Sequence, residues 1–152
     1  MRFKIKILLT VFSLIVCQLQ LFAQTPNYTG TWVLNLEKSK LEDKSDGLTG
    51  SIFIIKQNGD KFRLKRYHIY GDKKKKIGFK MVADGRIRRV KILFKGKLEW
   101  EGNNLKAKIY RNGFSNVVTY KFGDNQNEFI ADEVFIGRPK DYHNHWVFDK
   151  QN

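Results

Sequence analysis

The chain has 152 residues, 29 Lys and Arg against 15 Asp and Glu, a net charge of +14 and one cysteine. A single cysteine excludes an intrachain disulfide framework and a multi-cysteine metal centre. The positive charge favours anionic partners: acidic lipid, polysaccharide, phosphorylated ligands or nucleic acid.

The first predicted element is an export signal. Arg2, Lys4 and Lys6 give a basic start, Ile7 to Val16 is apolar apart from Thr10 and Ser13, and Leu21-Phe22-Ala23-Gln24 supplies a small residue before polar sequence begins. That order predicts a signal peptide over residues 1–23 and an exported domain over 24–152, placed in the periplasm or outside the cell. Gln18 and Gln20 interrupt a spanning helix, and Val16 is too large for a lipidation site at Cys17. Removal of those 23 residues, which carry three basic and no acidic groups, leaves 129 residues at +11 without a cysteine.

From residue 24 onward the chain reads as strands separated by turns. Asn58-Gly59, Asp84-Gly85 and Asn112-Gly113 are hairpin signals, because Gly and Asn accept the positive φ of tight turns. Gly71-Asp72, Asn103-Asn104, Gly123-Asp124 and Gly137-Arg138-Pro139 mark further breaks. Strands are predicted at 29–36, 50–57, 61–70, 75–83, 89–101, 104–111, 115–122, 127–136 and 143–149, with residues 37–48 a loop or short helical turn. Alternation fixes the faces. Phe62, Leu64, Arg66, His68 and Tyr70 share one side, and Lys61, Arg63, Lys65, Tyr67 and Ile69 the other. Ile77, Phe79 and Met81 alternate with Lys76, Gly78 and Lys80, while Ile92, Phe94, Leu98 and Trp100 form another apolar face. Period two with one apolar side describes a sheet wet on its outer face. The expected fold is all-β: an antiparallel up-and-down meander of about 8–9 strands closed into a barrel, with a two-sheet sandwich as the alternative.

Residues 30–39 read Gly30-Thr31-Trp32-Val33-Leu34-Asn35-Leu36-Glu37-Lys38-Ser39. This resembles the opening strand of lipocalin-like proteins, whose Gly-x-Trp motif starts the barrel. It is similar in particular to small secreted bacterial lipocalin-like (calycin-type) domains that begin with Gly-Thr-Trp, Leu-Asn and Glu-Lys-Ser. The resemblance implies a barrel with Trp32 packed near one closed end, Gly30 and Trp32 as a structural motif, and carriage of a ligand. Intracellular fatty-acid carriers tend to place an Arg-x-Tyr pair near the last strand; here that strand reads His143-Asn144-His145-Trp146-Val147-Phe148. A membrane-spanning barrel is disfavoured, since lysine-rich outer faces are costly in lipid.

Arg66 and His68 stand out because they share a face with Phe62, Leu64 and Tyr70. A guanidinium among aromatics in a dry lumen suits an amphipathic anion. The candidate ligand residues are Arg66, His68, Tyr70, Phe62, Leu64, Phe79, Phe94, Trp100 and Tyr120. Glu133 is an alternative partner for Arg66 through a structural ion pair. His143 and His145 have the i, i+2 spacing that can place two imidazoles on one metal ion, but rim positions explain them as well. Without a Ser-His-Asp order, P-loop or HExxH, no catalytic residue and no cofactor is assigned, and the reading favours a binding protein over a His-dependent enzyme. Lys73, Lys74, Lys75 and Lys76 with Arg86, Arg88 and Arg89 form either one basic rim for anionic glycan or lipid headgroups, or two clusters at opposite barrel ends. Nucleic acid is the poorest fit, because only Tyr67 interleaves the basic surface with an aromatic ring.

Overall fold

Alternating apolar and charged side chains leave each strand one dry face, and a ribbon of such strands buries that face by curling. The computed structural model describes residues 26–43, 47–123 and 125–151; the predicted signal peptide lies outside them, as do Ser45, Asp46 and Asp124 of the predicted loops. Among the described residues, eleven strands form one antiparallel sheet: β1 (Gly30–Leu34), β2 (Lys40–Leu41), β3 (Gly50–Asn58), β4 (Lys61–Tyr70), β5 (Lys73–Val82), β6 (Arg88–Lys91), β7 (Phe94–Glu101), β8 (Asn104–Arg111), β9 (Phe114–Phe122), β10 (Glu128–Gly137) and β11 (Tyr142–Gln151). Their order is β5-β4-β3-β1-β11-β10-β9-β8-β7-β6, with β2 beside β11. No helix among the described residues is long and apolar enough to cross a membrane.

The barrel is nearly closed. β1 bridges the two ends of the chain, pairing Trp32 with Lys150 of β11 and with Phe53 of β3. The open seam lies between β5 and β6 instead. At one end the seam is pinned by Gly85 N–H donating to the Leu98 carbonyl at 2.9 Å and by Trp100 Nε1–H donating to Asp60 Oδ1 at 3.0 Å.

Two elements differ from the sequence expectation. The single strand predicted over 89–101 is a hairpin, β6–β7, turning at Ile92-Leu93. Neither residue is a turn former, so no local signal marks the break. The predicted loop at 37–48 contains β2, which is too short to show periodicity. Ile92 is also not part of the apolar face assigned to it: at the turn it is 80% exposed.

The closed end is an aromatic plug. Trp32 is fully buried, and its Nε1–H donates to the Tyr28 carbonyl at 2.9 Å. Phe129 stacks on Phe148 at 4.7 Å and meets Trp32 edge-on at 4.9 Å. Full burial of each such side chain contributes about 1.5–3 kcal/mol. The outer face is wet: Lys61, Arg63, Lys65, Lys74, Lys76 and Lys80 are all exposed.

Candidate functional site

Above the plug, the inward faces of β4, β5, β8, β9, β10 and β11 enclose a cavity of about 370 Å³. That is room for roughly a dozen waters at their liquid volume. β4 contributes Leu64, Arg66, His68 and Tyr70, because its residues alternate in and out; β5 contributes Lys75, Ile77 and Phe79; β9 contributes Asn116, Val118 and Tyr120. Glu133, Tyr142, Asn144 and Trp146 complete the opposite wall, and Phe53 also borders the space.

Arg66 is the centre of this site. Its Nε–H donates to Ser51 Oγ at 3.1 Å. Its guanidinium carbon lies 4.3 Å from the Trp146 ring centre, 5.0 Å from Phe53 and 5.7 Å from Phe148. Three ring faces therefore hold the cation from the apolar side. Nη2 is enclosed and has no hydrogen-bond partner among the described residues. Burial pulls the Arg66 pKa down, and the nearby charge of Glu133 opposes that fall; a guanidinium still keeps its charge in a protein.

Glu133 does not pair with Arg66, contrary to the alternative that the sequence left open. Its carboxylate is held by three neutral donors. Asn116 Nδ2–H reaches Oε1 at 2.7 Å, while Trp146 Nε1–H at 2.7 Å and Asn144 Nδ2–H at 3.2 Å reach Oε2. Glu133 thus balances Arg66 through space and leaves the enclosed Nη2 without a carboxylate among the described residues. Asn116 Oδ1 and His68 Nδ1 are likewise enclosed without partners among the described residues, and both residues line the cavity.

His68 is neutral at neutral pH. Burial, with Arg66 and Lys75 alongside, lowers its pKa from 6.5 to about 4. The unfolded chain therefore takes up this proton first, and His68 makes folding less favourable as pH falls from about 6.5 towards about 4. We predict that His68→Gln flattens the decline of stability across that window, read as urea midpoints against pH; parallel profiles for variant and parent would contradict it. Burial also raises the pKa of Tyr120 to about 12 and raises that of Tyr142, with Glu133 adding to the shift. Both phenols stay protonated and can donate.

The structure brings together six of the nine candidate ligand residues: Arg66, His68, Tyr70, Leu64, Phe79 and Tyr120 line the cavity. Phe62 and Trp100 face inward but belong to the plug, their rings 5.8 Å apart. Phe94 sits at the other end, edge-on to Phe114 at 5.5 Å with the Arg111 guanidinium 5.2 Å from its ring. The basic clusters are not one rim. Lys73 starts β5 opposite Tyr70, whereas Arg86 and Arg88 lie beyond the far end of β5, both bound to Asp84. Arg89 caps the Ile92 carbonyl. Lys75 is exposed like the rest of its cluster but has the parity of Ile77 and Phe79 and borders the cavity.

His143 and His145 alternate with the inward Asn144 and Trp146, so they point out of the lumen. His145 Nδ1 sits 2.5 Å from Asp132 Oδ1, and Lys121 holds the other oxygen of that carboxylate at 2.9 Å. No group of three metal-ligating side chains occurs among the described residues. Asn116, Tyr142, Asn144 and Trp146 are site residues that the sequence reading did not select. Continuing the inward parity of Trp146 and Phe148 back along β11 would have found three of them.

No protein-family model matches the chain, and no curated protein does. Solved structures do. Fatty-acid-binding protein 1 of Echinococcus granulosus superposes with a TM-score of 0.59 at 14% identity, covering 82% of this chain and 98% of that one. The zebrafish ileal bile acid-binding protein, crystallised with cholic acid, gives 0.57 at 16% identity over 82% and 98%. A heat soluble (SAHS) protein of Ramazzottius varieornatus gives 0.57 at 15% identity over 85% and 100%. At these identities the likeness concerns the fold, and together with the strand order it gives the chain the nearly closed antiparallel β-barrel of lipocalin-like, calycin-type proteins.

Proposed function

We propose that the protein is an exported carrier that holds a small amphipathic anion in the barrel lumen, with the acid group on Arg66. The observation that carries this reading is Arg66 in the wall of a 370 Å³ cavity, with its Nη2 buried and, among the described residues, unpartnered. A buried donor without a partner costs free energy that a bound acceptor recovers. Leu64, Ile77, Phe79 and Val118 supply the apolar wall for the tail. Two of the structural neighbours are named for fatty-acid and bile-acid binding, which supports a ligand of the same general character.

The plug limits the ligand. Phe62, Trp100, Phe129 and Phe148 fill the lower barrel, so the remaining space suits a short or medium chain better than a long one. Lys75 at the wall adds a second cation that attracts an anion from solution. Isothermal titration with decanoate and with decanol tests the reading. Decanoate should bind at least about tenfold more tightly, since a hydrogen bond to a charged group is worth about 1.5–3 kcal/mol. Equal affinity for the two, or no binding of either, would overturn it.

A further inference from the structure

We propose a second, independent interaction site: the tip of the β6–β7 hairpin docks the barrel on an anionic lipid surface. Among the described residues, five hairpins turn through two residues. Four of them use a glycine at positive φ: Gly59, Gly71, Gly102 and Gly113. The fifth turns through Ile92-Leu93. Two branched apolar residues are poor in a tight turn, and they gain nothing inside the fold: Ile92 is 80% exposed and Leu93 68%. A local rule broken without compensation from the fold points to function.

The surroundings say what the tip meets. The turn is held in shape by Arg89, whose Nε and Nη2 donate to the Ile92 carbonyl at 3.1 and 2.8 Å. Lys91 and Lys95 flank it in the hairpin, and Arg111 and Leu93 border one shallow surface depression. No acidic residue occurs from Gly85 to Leu98 or from Gly102 to Gly123. Behind the tip, a row of rings runs from Phe94 to Phe114, Phe135 and Tyr142, with successive centres 5.5, 5.4 and 4.7 Å apart. Strand direction places this row at the end of the barrel opposite the plug.

An apolar point inside a basic collar, backed by aromatic rings, matches the layers of an anionic bilayer surface: acyl chains beneath, phosphates around, and an interface that aromatic rings favour. A polysaccharide would engage the cations and leave Ile92 and Leu93 in water. A lipid surface uses both features.

The test replaces the tip by the sequence that tight hairpins prefer. Ile92→Asn combined with Leu93→Gly removes the apolar point and leaves every cation in place. In sedimentation with phosphatidylglycerol–phosphatidylcholine vesicles the parent should bind, and bind less to pure phosphatidylcholine. The double variant should bind the anionic vesicles at least about tenfold more weakly, with its thermal midpoint equal to or above that of the parent. Its decanoate affinity should be unchanged, which separates this site from the lumen. Equal vesicle binding by parent and variant, or none by the parent, would overturn the proposal. So would a concentration-dependent dimer of the parent that the variant abolishes, since the tip would then serve a second copy of the chain.

Discussion

Arg66→Met should abolish the preference for decanoate over decanol while lowering thermal stability. The two effects have one origin. In the folded chain the guanidinium is taken out of water, donates one hydrogen bond to Ser51 and leaves Nη2 without an acceptor among the described residues. Desolvating a charge costs several kcal/mol, and contact with three ring faces returns part of it. Met removes that cost but leaves the buried Glu133 carboxylate without the charge that balanced it through space, and removing one member of a buried charge pair is destabilising. The acid group of a ligand likewise loses its charged donor. The expected loss is about 10–150-fold for decanoate, the equivalent of about 1.5–3 kcal/mol, and little change for decanol. Calorimetric titration and thermal unfolding of the same two proteins check both halves. A variant that binds decanoate like the parent would remove Arg66 from the site. A variant as stable as the parent would mean that the Glu133 carboxylate does not depend on Arg66 for its balance.

Phe129→Ala should be the most destabilising single truncation in the plug, at about 3–5 kcal/mol. That is a large share of the roughly 5–15 kcal/mol that holds a domain together. Phe129 has no exposed surface. Its ring stacks on Phe148 and meets Trp32 at 4.9 Å and Phe53 at 5.7 Å, with Tyr28 and Tyr120 each 6.3 Å away. No rotamer change by these neighbours, themselves packed, can fill the space left behind. His143→Ala, at an exposed position on β11, should stay within about 0.5 kcal/mol of the parent. Urea unfolding of both variants checks the contrast. Because Phe53 and Tyr120 border both the plug and the cavity, Phe129→Ala should also deepen the lumen and move its chain-length preference towards longer acids. A loss below about 1 kcal/mol would mean that the aromatic cluster does not anchor the barrel.

The parts of this fold that could be read in the sequence are those where alternation is strict. The β4 faces follow directly from Phe62, Leu64 and Arg66 set against Lys61, Arg63 and Lys65. Hairpins with Gly at the turn were legible for the same local reason. Ile92-Leu93 was not, because the turn there contradicts the residue preferences that reveal turns. The open seam between β5 and β6 was invisible too, being a property of which strands pair around the whole ring. At the site, parity placed Arg66 inward, but its environment comes from Trp146 and Phe148, some eighty residues away in the chain. The three donors on Glu133 come from β9 and β11, and no spacing rule connects them. Lys75 was hidden inside a run of four lysines, where charge density drew more notice than the alternation that gives it the parity of Ile77 and Phe79.

The central claim, that an exported barrel carries an acid on Arg66, is most directly tested by native mass spectrometry of the protein purified from its own host. The parent should have the mass of a chain lacking residues 1–23 and carry a small acid that dissociates on activation, and Arg66→Met should be recovered without that acid. A parent chain recovered at full length, or free of any bound molecule, would contradict the account.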